Sequence, residues 1–89
     1  MKLKLEKTRI VLFDDAREIG EITWIEGEGV ITIDHTFVNP DYRGQGLAKD
    51  LLDASVEMAR AKGLKIIPQC PYVKREFEKS DEYKDVWAH

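Results

Sequence analysis

The chain has 89 residues, a net charge of −3, 43% hydrophobic residues and a single cysteine. That length allows one domain, 1–89, with one modest core, and the hydrophobic share is too high for a disordered chain. The acidic balance argues against the basic stripe of a nucleic-acid binder, no apolar run approaches the ~18 residues needed to span a membrane, and the lone Cys70 excludes an intrachain disulfide while suiting a reducing, cytoplasmic setting.

Met1 to Glu6 alternates and lacks the hydrophobic stretch of a signal peptide. Leu3 and Leu5 alternate with Lys2, Lys4 and Glu6, as a half-buried strand does. Lys7-Thr8 forms a tight turn, and Arg9 to Phe13 a second strand. Asp14-Asp15-Ala16 turns the chain into a third strand, Glu18 to Ile25. Glu26-Gly27-Glu28-Gly29 is the next turn, followed by a β-branched fourth strand, Val30 to Val38. A helix then runs from about Gln45 to Lys62, with Leu47, Leu51, Leu52, Met58 and Ala59 on its apolar side. Gly63 stops it. Leu64 to Pro68 is a short strand, and Pro71 opens a second helix, Tyr72 to Lys79. Asp81 to Trp87 adds a helical turn. The order is β-β-β-β-α-β-α, an α+β domain. The strand–helix–strand segment 30–68 is long enough for a right-handed crossover, which makes the last two strands parallel within a mostly antiparallel sheet.

Between the fourth strand and the long helix lies Asn39-Pro40-Asp41-Tyr42-Arg43-Gly44-Gln45-Gly46-Leu47-Ala48. A strand that ends in a glycine turn and opens directly into a helix presents unpaired N–H groups and the positive end of the helix dipole, a ready anion site. Gly44 and Gly46 allow close approach of a ligand to the main chain, and Arg43 brings a planar donor fork suited to phosphate. On their own these residues fit a plain connection equally well. The run is neither G-x-G-x-x-G nor a P-loop.

Arg43-Gly44-Gln45-Gly46-Leu47-Ala48 resembles the acetyl-CoA loop of the GNAT acetyltransferases, Q/R-x-x-G-x-G/A, at every defined position. Asp34-His35-Thr36, Ile66-Ile67-Pro68-Gln69-Cys70-Pro71-Tyr72, Phe77-Glu78-Lys79 and Glu82-Tyr83 extend the likeness to the small, single-domain, yjdJ-type subgroup over roughly Arg9 to Val86. The resemblance implies a minimal GNAT-like fold and an N-acetyltransferase that uses acetyl-CoA as cosubstrate. It implies that Arg43, Gly44, Gln45, Gly46, Leu47 and Ala48 cradle the pyrophosphate, that Phe37 and Val38 line the pantetheine and acetyl group, and that His35 and Cys70 are the active-site pair. The chain departs from the superfamily in one respect. Typical members place two helices between their first two strands, and this chain has only Lys7-Thr8 there.

Strict alternation puts His35 on one face with Ile31, Ile33 and Phe37, near the carboxyl end of its strand, and turns Asp34 away from it. Cys70 lies just past the carboxyl end of the fifth strand. The two strands being parallel, both residues come to the sheet edge that carries the glycine loop, where open α/β sheets bind ligands. Taken singly, a histidine on an apolar face is more often a packed residue, and a lone cysteine a small buried hydrophobe. Two chemistries follow from the pair. In one, Cys70 is a nucleophile that accepts acetyl and His35 handles its proton. In the other, an amine attacks the thioester directly and His35 or a water takes its proton.

Tyr72 is either the acid that protonates the leaving thiolate, as the resemblance implies, or a packing aromatic, and packing is favoured. Trp24 and Trp87 read as core or docking aromatics. Lys49 reads as a solvated helix charge, as do Glu76, Glu78, Lys79 and Asp81. No metal site is supported, because Asp34 and His35 point apart and one cysteine cannot assemble a ligand set. The expected partners are acetyl-CoA and an amine acceptor of unread identity, with the chain a monomer or homodimer. The alternative is a non-catalytic acyl-CoA-binding or regulatory module.

Overall fold

A computed structural model describes the whole chain, residues 1–89. β1 (Lys2–Leu5), β2 (Arg9–Asp14), β3 (Arg17–Glu26) and β4 (Val30–Val38) form an antiparallel meander. α1 (Leu47–Lys62) crosses over to β5 (Lys65–Pro68), which pairs parallel with β4, and α2 (Pro71–Lys79) follows. Short 3-10 turns occupy Pro40–Tyr42 and Asp81–Tyr83. The sheet order is β1-β2-β3-β4-β5, so both the element order and the parallel pair agree with the sequence reading. No helix is long and apolar enough to cross a membrane.

The boundaries of α1 follow from its glycines. Gly44 and Gly46 have φ of 85° and 73°, a conformation a right-handed helix cannot continue through, so the helix begins at Leu47 rather than near Gln45. Gly63, at φ 68°, ends it in the left-handed cap that the sequence predicts. Leu47, Leu51, Leu52, Val56 and Ala59 face the sheet and meet Leu12, Ile22, Trp24, Ile31, Ile33 and Ile66. Val73 and Phe77 of α2, with Tyr83 and Val86 of the C-terminal segment, belong to the same cluster. The helices therefore cover one face of the sheet. On the other face Ile25, Phe37 and Ile67 stay exposed.

Two expectations need correction. β1 is not half-buried: Leu3 and Leu5 are 45% and 51% exposed. They pair with Leu12 and Ile10 at the sheet edge, where no helix lies across them. The second correction concerns β4. Its register with β3 steps from His35–Thr23 to Ile33–Trp24, leaving Asp34 as an extra residue. Such a bulge reverses the alternation of the strand. Ile31 and Ile33 face the helices, and so do Thr36 and Val38, which sit opposite Ile22 and Gly20. His35 and Phe37 lie on the uncovered face and are exposed. Asp34 is not turned away from His35: its carboxylate accepts from the Thr23 hydroxyl at 2.6 Å, and Thr23 is the cross-strand partner of His35.

Gly20 lets β3 approach the end of β4 closely. A Cβ there would stand 2.9 Å from the Phe37 carbonyl oxygen and 3.4 Å from Leu51 Cδ1. Backbone on one side and a core leucine on the other leave little room to yield. We expect Gly20→Ala to cost about 1–3 kcal/mol, read as a lower urea midpoint by tryptophan fluorescence. An unchanged midpoint would show that the strand shifts freely.

Candidate active site at the open end of β4 and β5

β4 and β5 stay paired only from Val30–Lys65 to Ile33–Pro68. Beyond that point the chain leaves the sheet, and the N–H groups of Gln69 and Cys70 both close on the Ile33 carbonyl, at 3.1 and 2.8 Å. Pro71 then starts α2. The rest of β4 has no neighbour on that side. Asn39 N–H donates back to Ile19 of β3 at 2.7 Å, so by period two the peptide groups of Phe37 also point to β3. Those of Thr36 and Val38 point into the gap.

The glycine loop closes the gap from the helix side. Its first turn is capped by Asn39, whose side chain accepts from Asp41 N–H at 2.9 Å. Tyr42 anchors it to the β2–β3 hairpin by donating its hydroxyl to Asp14 at 2.7 Å. From Gly44 to Lys49 no backbone N–H meets a protein acceptor, and the first helical bond is Asp50 N–H to Gly46 C=O. A run of unpaired donors at the start of a 16-residue helix is an anion cradle in the physical sense. Of the residues expected to bind cofactor, Val38, Arg43, Gly44, Gly46, Leu47 and Ala48 line one cavity of about 240 Å³, together with Tyr42, Lys49 and Tyr72. Gln45 belongs to the loop but does not line the cavity. Phe37 lies next to the gap with its side chain on the uncovered face.

The far wall is built by α2 and the C-terminal turn. Tyr72 faces the cavity, and burial, reinforced by the charge of Glu76, pushes its phenol up to about 12. The sequence reading favoured packing for this residue. Lys49, read there as a solvated charge, is tied down: its ammonium donates to Tyr83 Oη at 3.0 Å and to Asp53 at 3.2 Å. Tyr83 in turn donates to Asp53 at 2.7 Å and stacks on Phe77, with ring centroids 5.0 Å apart. These bonds hold the C-terminal turn against α1.

His35 and Cys70 both reach this edge, but on opposite sides of β4. The Cys70 sulfur is buried and sits 3.6 Å from the Thr36 hydroxyl. His35 Nε2 stands on the uncovered face, 3.7 Å from Glu21 Oε2. Glu21 is held through its other oxygen by Arg9 at 2.9 Å. The bulge at Asp34 is what parts the pair. Two groups escaped the sequence reading. Tyr83 entered only through the resemblance and as part of a helical turn, with no role of its own, yet it is fully buried. Glu76 was assigned to a solvated charge run, yet it is buried with Val73 and Phe77. Its spacing of three from Val73 was the available signal.

The family model for GCN5-related N-acetyltransferases matches residues 9–86. Among solved structures, a GCN5-like protein from Staphylococcus aureus superposes with a TM-score of 0.81 at 39% identity, over 98% of this chain and 87% of that one. A ribosomal-protein-alanine N-acetyltransferase from Brucella melitensis gives 0.63 at 24% identity, over 91% of this chain and 63% of its own. The PaiA N-acetyltransferase of Thermoplasma acidophilum, solved with coenzyme A, gives 0.62 at 18% identity, over 84% and 55%. These last two show the fold alone, and the chain spans little more than half of their length. No curated protein sequence matches significantly. The splayed strands, the open run of loop N–H groups and the family match over nearly the whole chain lead to one conclusion: the chain belongs to the GCN5-related N-acetyltransferase family.

Proposed function

We propose that the cleft binds acetyl-CoA and that the chain transfers the acetyl group directly to an amine, with Tyr72 as proton donor to the departing thiolate. The observation that carries this reading is the placement of the Tyr72 phenol, its pKa pushed up by burial, across one cavity from the glycine loop and its unpaired N–H groups. The loop donors and Arg43 suit a pyrophosphate. The residues present thus fit coenzyme A, whose pantetheine would run along the free edge of β4.

The amine nitrogen attacks the thioester carbonyl, and a C–N bond forms. The oxygen takes up negative charge, for which the N–H groups of Thr36 and Val38 are the available donors. Collapse breaks the C–S bond, and the Tyr72 hydroxyl proton passes to sulfur. The proton lost by the amine goes to His35 or to water. An acceptor arriving from the uncovered sheet face meets His35 first. A Cys70 thioester route is less well supported, because the sulfur is buried against Thr36 and has no imidazole beside it. A non-catalytic acyl-CoA module would bind the same ligand and release no thiol.

Ligand titration and variants at Gly46, Tyr72 and Cys70 test the reading. Amide shifts on titration with acetyl-CoA should saturate at Gly44, Gly46 and the first turn of α1, and thiol release should require an amine. Gly46→Val forces a β-branched residue to φ 73° and should weaken acetyl-CoA binding about tenfold or more through strain of roughly 1–2 kcal/mol. Unaltered affinity would mean that the loop does not cradle the ligand. Tyr72→Phe should lower kcat by about 10²-fold or more, the usual contribution of a general acid, with little change in KM for acetyl-CoA. Full activity of that variant would remove Tyr72 from the reaction. Cys70→Ser should retain turnover, and intact mass after rapid quench should show no acetyl adduct on the parent protein. A competent adduct would replace direct transfer with the covalent route.

A further inference from the structure

The uncovered face of the sheet divides into two unlike halves. Over β1 and β2 it covers itself. Val11 belongs to this face, in register with Lys4 and Glu21, and it is fully buried with no helix above it. Its cover comes from its long neighbours on the same face. Arg9 binds Glu6 at 2.6 Å, Glu21 at 2.9 Å and Glu18 at 3.2 Å, and the stems of such side chains shield apolar surface. Over β3 to β5 the face is bare. Ile25, Thr32 and Ile67 stand in register across three strands, and Ile25 and Ile67 are 57% and 41% exposed. His35 and Phe37 continue the bare surface along β4, with Phe37 43% exposed. From Ile25 to Ile67 the strip is two strand spacings wide, about 10 Å. The three cavities of the molecule lie elsewhere, and none of these residues lines them.

A small amine is held in a concave site that buries most of its surface, whereas an open apolar strip of this width suits a polypeptide. Charge selects the kind. Arg9 brings one positive charge against the three carboxylates of Glu6, Glu18 and Glu21, so the network bordering the bare half stays net negative. Glu21 stands 3.7 Å from His35, and Asp34 adds a carboxylate bonded to the neutral hydroxyl of Thr23. The cations of this face are placed otherwise. Lys2 and Lys4 lie out on β1, and Lys65 is held by the Asp85 carbonyl. We propose that the bare half of the sheet is the docking surface for a basic polypeptide segment, and that the acceptor amine is the side chain of a lysine flanked there by apolar residues. The inference rests on the acceptor entry past His35 proposed above. A lysine carries its nitrogen on a flexible four-carbon stem, which lets the backbone stay on the sheet face while the amine passes the free edge of β4. Its neutral Nε forms the C–N bond as the C–S bond breaks, and the products are acetyl-lysine and free coenzyme A. The proton lost by Nε goes to His35 or to water.

The probe is a peptide blocked at both termini, with one lysine between leucines and an arginine at each end. Added to isotopically labelled protein without acetyl-CoA, it should give saturable shifts at Ile25, His35, Phe37 and Ile67. No shift at millimolar peptide, or shifts confined to another surface, overturns the inference. Shifts of the same residues that follow protein concentration without peptide would show a second copy on this face, and overturn it as well. In turnover, kcat/KM for the peptide should exceed that for a single blocked lysine by about tenfold or more, the scale set by burying part of two isoleucines. Equal values for the two acceptors overturn the inference. Ile25→Thr with Ile67→Thr keeps β-branched residues in both strands and should bring the ratio of the two values close to one. A ratio that survives this pair of substitutions also overturns it. The binding arm needs no reaction, so the two failures are separable. Saturation of this face with no amine acetylated would overturn the transfer reaction and leave the docking surface supported.

Discussion

Everything at the site depends on where β4 and β5 part company. Four residues of parallel pairing end at Ile33 and Pro68, and Pro68, Gln69 and Pro71 carry the chain out of the sheet. A proline cannot donate to a ladder, so this sequence cannot extend the strand pair. The Ile33 carbonyl receives two N–H groups at the exit, which fixes the angle at which the chain departs. The unpaired half of β4 is the result. Unpaired strand edges are a liability in most folds, but here the edge lies beneath a loop of unpaired N–H groups, and the two sets of donors line one cleft.

The bulge at Asp34 sets which side chains that cleft receives. By adding one residue it turns Thr36 and Val38 toward the helices and His35 and Phe37 toward the uncovered face. A β4 without the bulge would bury the imidazole in the core and expose Thr36 and Val38. The two faces are thus chemically distinct. The helix face holds the glycine loop, Tyr72 and the buried sulfur. The open face holds His35 beside a carboxylate that Arg9 shares with Glu6 and Glu18. Under the proposed reaction, an acyl donor and an acceptor would approach from opposite sides of one strand and not compete for the same space.

The far wall is held by a small number of contacts. Tyr83 stacks on Phe77 and bonds Asp53, and Trp87 meets Phe77 edge-on at 5.6 Å. Burying aromatics of this size contributes about 2–3 kcal/mol each, a large share of the stability open to a domain this small. The C-terminal turn therefore supports the core and also holds Lys49 at the cavity. Much larger relatives share the fold. In this chain a single tight turn, with Glu6 N–H bonded to Arg9 C=O at 2.8 Å, joins β1 to β2, and no helix covers the second face of the sheet.

The sequence by itself determined the element order, the parallel crossover, the helix stop at Gly63 and the glycine loop. Each of these rests on local chemistry: β-branched runs, a left-handed glycine, a crossover long enough to bridge two parallel strands. It also held the family resemblance, because the loop pattern is contiguous. Tertiary structure alone decided the rest. The bulge at Asp34 has no signature in β4, since its extra residue is defined only by pairing with Thr23 and Trp24 on β3. The separation of His35 from Cys70 follows from it. The burial of Glu76 and Tyr83 likewise depends on how α2 and the C-terminal turn settle against α1. Neighbours distant in sequence make that contact; within the nine-residue α2 the spacing from Val73 places Glu76 on the inner face, but its charge argues the other way, and only the packing decides.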